Sequence, residues 1–187
     1  MMCYPVFIHV PRTGGNSILR CLEDKEVIVV HHVSKMDLSC FDDNWVFAFV
    51  RDPFDRVLSA YAYLTGGGLS IEDAWDAWDY IHPFSGFRDF VLNGLETAAG
   101  QQRHFRPQRY WLTDDGGQVV ADFVGRTEAL QAGFDFVCEK MGWEKTPVDV
   151  LNRSERDGLE VAEDLRAIIR EVYAEDFRMI EGLTGVI

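Results

Sequence analysis

No apolar run in this sequence approaches the ~18 residues of a membrane-spanning helix, and no basic stretch ahead of an apolar core marks a secretory leader at the N-terminus. Basic charge is scarce: 18 Lys and Arg stand against 31 Asp and Glu, a formal net charge of −13. That balance excludes a nucleic-acid binder or a coat for a long polyanion, since either needs a broad basic face. Cysteine is sparse too, and Cys3, Cys21, Cys40 and Cys138 lack the short paired spacing of a zinc site. Repeats and proline- or serine-rich linkers are missing, so the 187 residues read as one domain, 1–187. Together these absences predict a soluble cytoplasmic protein with neither nucleic acid nor membrane as partner.

What the chain does have is apolar sequence in regular alternation. Hydrophobic residues make up 47% of it, too much for a disordered chain. Short β-forming runs from Tyr4 to Val10, Glu26 to Val30, Trp45 to Val50 and Val119 to Val124 predict four strands. Their unbroken apolar character suits parallel strands covered on both faces. Helices are expected over Asn16 to Leu22, over Phe54 to Leu64 ahead of Gly66, Gly67 and Gly68, and in two shorter pieces capped by Ser70 and Ser85. Two more are expected over Thr127 to Met141, closed by Gly142, and over Leu159 to Tyr173. The fold expected is α/β: a P-loop-like parallel β-sheet flanked by helices on both faces, with a mostly helical insertion at about 66–115. Trp75, Trp78 and Tyr80 share a helical spacing within that insertion and read as core.

Two stretches carry chemistry. In the first, the run ending at Val10 leads through Pro11, Arg12, Thr13, Gly14, Gly15, Asn16 and Ser17 into a helix. Strand, glycine turn and helix start together aim backbone N–H groups at one point, and Arg12 adds a fixed fork for phosphate or sulfate oxygens. An ordinary tight turn would use the same glycines. The loop is no Walker A sequence, because the lysine–hydroxyl pair of that motif is missing. In the second stretch, Arg51 stands first at the end of the third strand, and Ser59 follows eight residues on. An arginine and a hydroxyl there suit a second phosphate, whereas an NTPase would need a metal-holding Asp.

The ordered pair PRTGGNS and RDPFDRVLSAY resembles the two nucleotide-binding signatures of the sulfotransferases, the enzymes that use 3′-phosphoadenosine 5′-phosphosulfate (PAPS). More closely, the chain is similar to the family-2 type related to carbohydrate 2-O-sulfotransferases. HFRPQRYWL at 104–112, FVGRTEALQAGFDFVCEKMG at 123–142, LNRS at 151–154 and YAEDF at 173–177 extend the resemblance over almost the whole chain. It implies a sulfotransferase fold in which the loop Arg12–Ser17 binds the 5′-phosphosulfate, while Arg51 and Ser59 bind the 3′-phosphate. The family usually has lysine where this chain has Arg12. Arginine stays charged and is a poor acid, so its implied role is electrostatic.

Transfer to a hydroxyl also needs a base. His31 and His32 follow the second strand, where the family carries a histidine, and His32 matches that place better than His31. His9 reads as packing or loop support. Within the acidic part of the chain, residues 62–187, the stretch from Thr97 to Thr113 has no carboxylate yet holds Arg103, His104, Arg106 and Arg109. Of these, His104, Arg106 and Arg109 are candidates for gripping an acceptor. The reading is a PAPS-dependent sulfotransferase without a metal, acting on a carbohydrate or small-molecule hydroxyl. A non-catalytic nucleotide- or glycan-binding module and a P-loop-type nucleotide kinase are the alternatives.

Overall fold

Successive residues of a strand face opposite ways, and in this chain both ways are apolar. A computed structural model, which describes residues 4–31, 44–149 and 160–183, joins four strands in one parallel sheet. They are β1 (Val6–Ile8), β2 (Ile28–Val30), β3 (Val46–Val50) and β4 (Phe123–Arg126), in the order β2-β1-β3-β4. Val6, Ile8, Val46, Ala48, Val50 and Val124 pack on one face against Trp111, Leu112 and Ile180. Phe7, Phe47, Phe49 and Phe123 pack on the other against Ile18, Phe134 and Val137. These partners lie on α1 (Gly15–Cys21), α6 (Arg109–Leu112), α7 (Leu130–Met141) and the end of α9 (Ala174–Gly182). The α/β architecture, a parallel sheet flanked by helices, is the expected one.

The described residues fall into two compact units. One takes those within 1–51, 108–152 and 179–187 and contains the sheet; the other takes those within 52–107 and 153–178. The second unit is helical, with α2 (Pro53–Thr65), α3 (Ile71–Tyr80), α4 (Phe87–Asn93), α5 (Leu95–Gln101) and α8 (Glu163–Val172). Its core gathers Val57, Leu58, Tyr61 and Leu64 with Phe90, Phe105, Leu165, Ile169 and Tyr173. Arg56 is buried among them; burial lowers its pKa, and the charges of Tyr173 and Asp176 oppose that drop. Among the described residues no helix is long and apolar enough to cross a membrane.

Local sequence explains where the helices begin. Asp52 caps α2, its carboxylate accepting the Phe54 and Asp55 amides at 2.9 and 3.2 Å, with Pro53 at the first helical position. Ser70 and Asp73 form the expected capping box on α3. Gly142, at φ 68, closes α7 as expected.

Three expectations are corrected. Ser85 does not cap α4: Gly86 takes that position, and the Ser85 amide and hydroxyl both donate to Asp89 at 2.9 and 3.0 Å. The fourth strand starts later than Val119, because Asp122 closes a two-way hydrogen bond with the backbone of Val46 and only then does the ladder begin. It also continues through Gly125, where a Cβ would lie 2.5 Å from the Phe49 ring. Finally, Trp75 and Trp78 are not core; they are 65% and 66% exposed. The buried side of α3 is Asp73 and Ala77, since Asp73 is drawn inward by the partners described below. Ser154, with the rest of LNRS, lies outside the described residues.

Candidate active site

Strand order alone singles out one edge of the sheet. From β1 the chain goes to β2 on one side, and β3 then joins β1 on the other. The carboxyl ends of β1 and β3 therefore flank a topological switch point, the usual ligand position in open parallel sheets. The glycine loop follows β1 and Arg51 follows β3, so both belong to this edge.

The loop is tightly specified. Arg12 has φ 68, the one non-glycine residue with positive φ among those described, a conformation that costs about 1–2 kcal/mol for an L-residue. Gly14 follows at φ 79 and caps α1. A Cβ on Gly15 would stand 2.0 Å from Cδ2 of His9, so the loop lies directly on that imidazole. His9 in turn stacks on Phe7, with ring centroids 5.9 Å apart, and sits 5.1 Å from the ring of His31. His9 is thus a support for the loop. His31 is exposed at the end of β2; His32 lies outside the described residues.

The candidate loop residues sort into two sets. Thr13, Gly15 and Ser17 are buried, whereas Asn16 is exposed and Arg12 and Gly14 are half-buried. The Thr13 hydroxyl donates to the Val10 carbonyl at 2.9 Å and closes the turn from inside. The first bonds of α1 run from the Ser17 and Ile18 amides to the Gly14 carbonyl, so the amides of Gly14, Gly15 and Asn16 precede them at the mouth of the turn.

Two residues that the sequence reading passed over organise this edge. Gln108, fully buried, grips both backbone groups of Arg51: the Arg51 amide donates to Oε1 at 2.9 Å and Nε2 donates to the Arg51 carbonyl at 2.8 Å. Thr127, just after β4, directs its hydroxyl at the Val50 and Thr13 carbonyls, 3.0 and 3.1 Å away. Gln108 was masked by the arginines around it, and Thr127 by its place at an expected helix start. Chemically, a glycine turn that ends in amides, with one arginine on it and another at the next strand end, suits a compact polyanion.

The remaining candidates lie on other elements. Ser59 lies in α2, in the helical unit, and is buried. His104 and Arg103 are also in that unit and turn to Asp73: the His104 Nε2 is 3.0 Å from its Oδ1, Arg103 forms an ion pair with it, and the Tyr63 hydroxyl donates at 2.6 Å. Burial would raise the Asp73 pKa. Hydrogen bonds from Tyr63, His104, Arg103 and the Leu69 amide outweigh it and hold the carboxyl well below the usual carboxylate range. Arg106 is half-buried in the same unit, while Arg109 opens α6 in the sheet unit. Arg126 ends β4, paired with Val50.

Cys21 and Cys138 are thiols whose pKa is pushed up by burial, which makes them poor nucleophiles; Cys3 and Cys40 lie outside the described residues.

Comparison with known proteins gives one finding: the profile of the sulfotransferase family, in its second type, matches residues 6–180. No curated protein and no solved structure matches the chain.

Proposed function

The chain belongs to the sulfotransferase family, and on that premise we propose that it moves a sulfuryl group from PAPS to the hydroxyl of a carbohydrate or small molecule. The observation that supports the donor is the edge of β1 and β3: a loop with Arg12 held left-handed, followed by Gly14, beside a strand that ends in Arg51. In this reading Arg12 and the amides of Gly14, Gly15 and Asn16 hold the 5′-phosphosulfate, and Arg51 with Ser59 holds the 3′-phosphate. When bound, PAPS supplies a sulfuryl group activated by a phosphate leaving group.

The chain's own residues do the rest. Arg12 keeps its charge at every working pH, so it stabilises negative charge on the transferring and leaving oxygens without giving up a proton. His32 takes the proton of the acceptor hydroxyl as that oxygen attacks sulfur, with its neighbour His31 as the competing assignment. His9 supports the loop. His104, Arg106 and Arg109 are the proposed acceptor contacts, and Asp73 fixes the orientation of the His104 ring.

Calorimetry with adenosine 3′,5′-bisphosphate tests the reading. Binding is expected without Mg²⁺ and in preference to ATP; a protein that binds ATP with Mg²⁺ and ignores the bisphosphate is a kinase, and the proposal fails. His32→Ala is expected to keep bisphosphate binding while transfer falls by ~10²-fold or more. Binding with no transfer to any acceptor, even in the unaltered protein, would instead mark a non-catalytic module.

A further inference from the structure

We propose that Thr127 is the positioning residue of the donor site, a clamp that couples its two phosphate subsites; the proposal rests on the sulfotransferase reading above. The register of the sheet leads to this. β1 and β3 are paired through Ile8 and Ala48, and their ladder ends there. Beyond that pair, among the described residues, the ladder does not join the loop to the end of β3. β4 continues alongside β3 as far as the pair Val50 and Arg126. The next residue, Thr127, therefore stands above both ends, and its hydroxyl meets the Val50 carbonyl at 3.0 Å and the Thr13 carbonyl at 3.1 Å.

A hydroxyl has one proton to give, so the two carbonyls share it, and the hydroxyl bridges the two segments only while both carbonyls lie within its reach. One of those carbonyls belongs to Thr13, next to the left-handed Arg12; the other belongs to Val50, next to Arg51. The clamp extends along the same segment: a Cβ on Gly14 would stand 2.9 Å from Cδ2 of Leu130, so that side chain presses on the turn one residue past Thr13. A backbone in a sparsely populated conformation persists only where its surroundings over-determine it. Here the surroundings come from a segment 114 residues away in sequence, and they tie the two arginine-bearing ends together.

Thr127→Val keeps the shape and removes the hydroxyl; Thr127→Ser keeps the hydroxyl. All three proteins are titrated with adenosine 3′,5′-bisphosphate and with adenosine 5′-monophosphate well below the melting temperature of each. Thr127→Val is expected to bind the bisphosphate roughly three- to tenfold more weakly, the scale of one lost hydrogen bond, and to lose part of its preference over the monophosphate. Thr127→Ser is expected to restore both. A merely structural threonine would lower the melting temperature and leave that preference unchanged, which overturns the proposal.

Should the unaltered protein bind neither nucleotide, the sulfotransferase reading fails, and the clamp is judged separately by amide hydrogen exchange. Faster exchange at residues 12–17 in Thr127→Val, reversed in Thr127→Ser, sustains it as a clamp on the loop; equal exchange refutes it.

Discussion

At the scale of single residues, the site depends on contacts that permit no extra atom. Gly15 is glycine because the His9 imidazole occupies the place of its Cβ, 2.0 Å away, and that ring cannot retreat far with Phe7 and His31 beside it. Gly15→Ala is expected to cost about 1–3 kcal/mol, the range for overpacking a filled site, and to weaken bisphosphate binding. The double variant His9→Ala/Gly15→Ala should recover part of that stability in urea unfolding; a strictly additive result would mean the two do not touch.

Asp73 shows the opposite economy, one buried carboxylate serving Tyr63, Arg103, His104 and the amides of Leu69 and Ser70. Its folded-state pKa is depressed, so its contribution is complete above the unfolded value of ~3.9 and is lost as pH falls below it toward the folded value. Asp73→Asn is therefore expected to lower stability by about 2–3 kcal/mol at neutral pH. The gap to the unaltered protein should narrow as pH drops from ~5 to ~3. Unfolding curves across that range measure it, and a gap independent of pH would contradict the assignment.

At the scale of elements, spacing located the helices more reliably than their buried faces. α2, α7 and α8 bury the residues that a 3.6-residue period selects: Val57 and Tyr61, Phe134 and Val137, Leu165 and Ile169. α3 does not. Its two tryptophans point outward, while Ala77 and the charged Asp73 point in and Tyr80 packs partly buried on the core. Periodicity marks a face as apolar without saying what lies opposite, and here a polar hub takes the inside. Trp75→Ala and Trp78→Ala are accordingly expected to change stability by no more than about 0.5 kcal/mol each, as at exposed positions. A loss of several kcal/mol in urea unfolding would return them to the core.

The basic island at Arg103 to Arg109 divides in the same way. Two of its members turn to Asp73, and Gln108, uncharged, fixes Arg51.

At the scale of the whole molecule, a net charge of −13 and an anionic donor are compatible, because binding answers to local charge within roughly a Debye length of about 8–10 Å. In the proposed reading Arg12 and Arg51 supply that charge at one sheet edge.

The sequence by itself determined the alternation of strand and helix, the parallel sheet, the cap at Ser70, and the family, since those follow from local propensity, apolar runs and short motifs. Only the tertiary structure decided that Thr13 closes the turn from inside, that His9 supports it, and that Gln108 and Thr127 govern Arg51 and the loop. Each of these depends on which distant segments meet, and Thr127 finds Thr13 across 114 residues. A single chain read in order carries no record of such meetings: they arise when sheet register places β4 beside β3 and so sets the residue after Arg126 over the ends of two other strands.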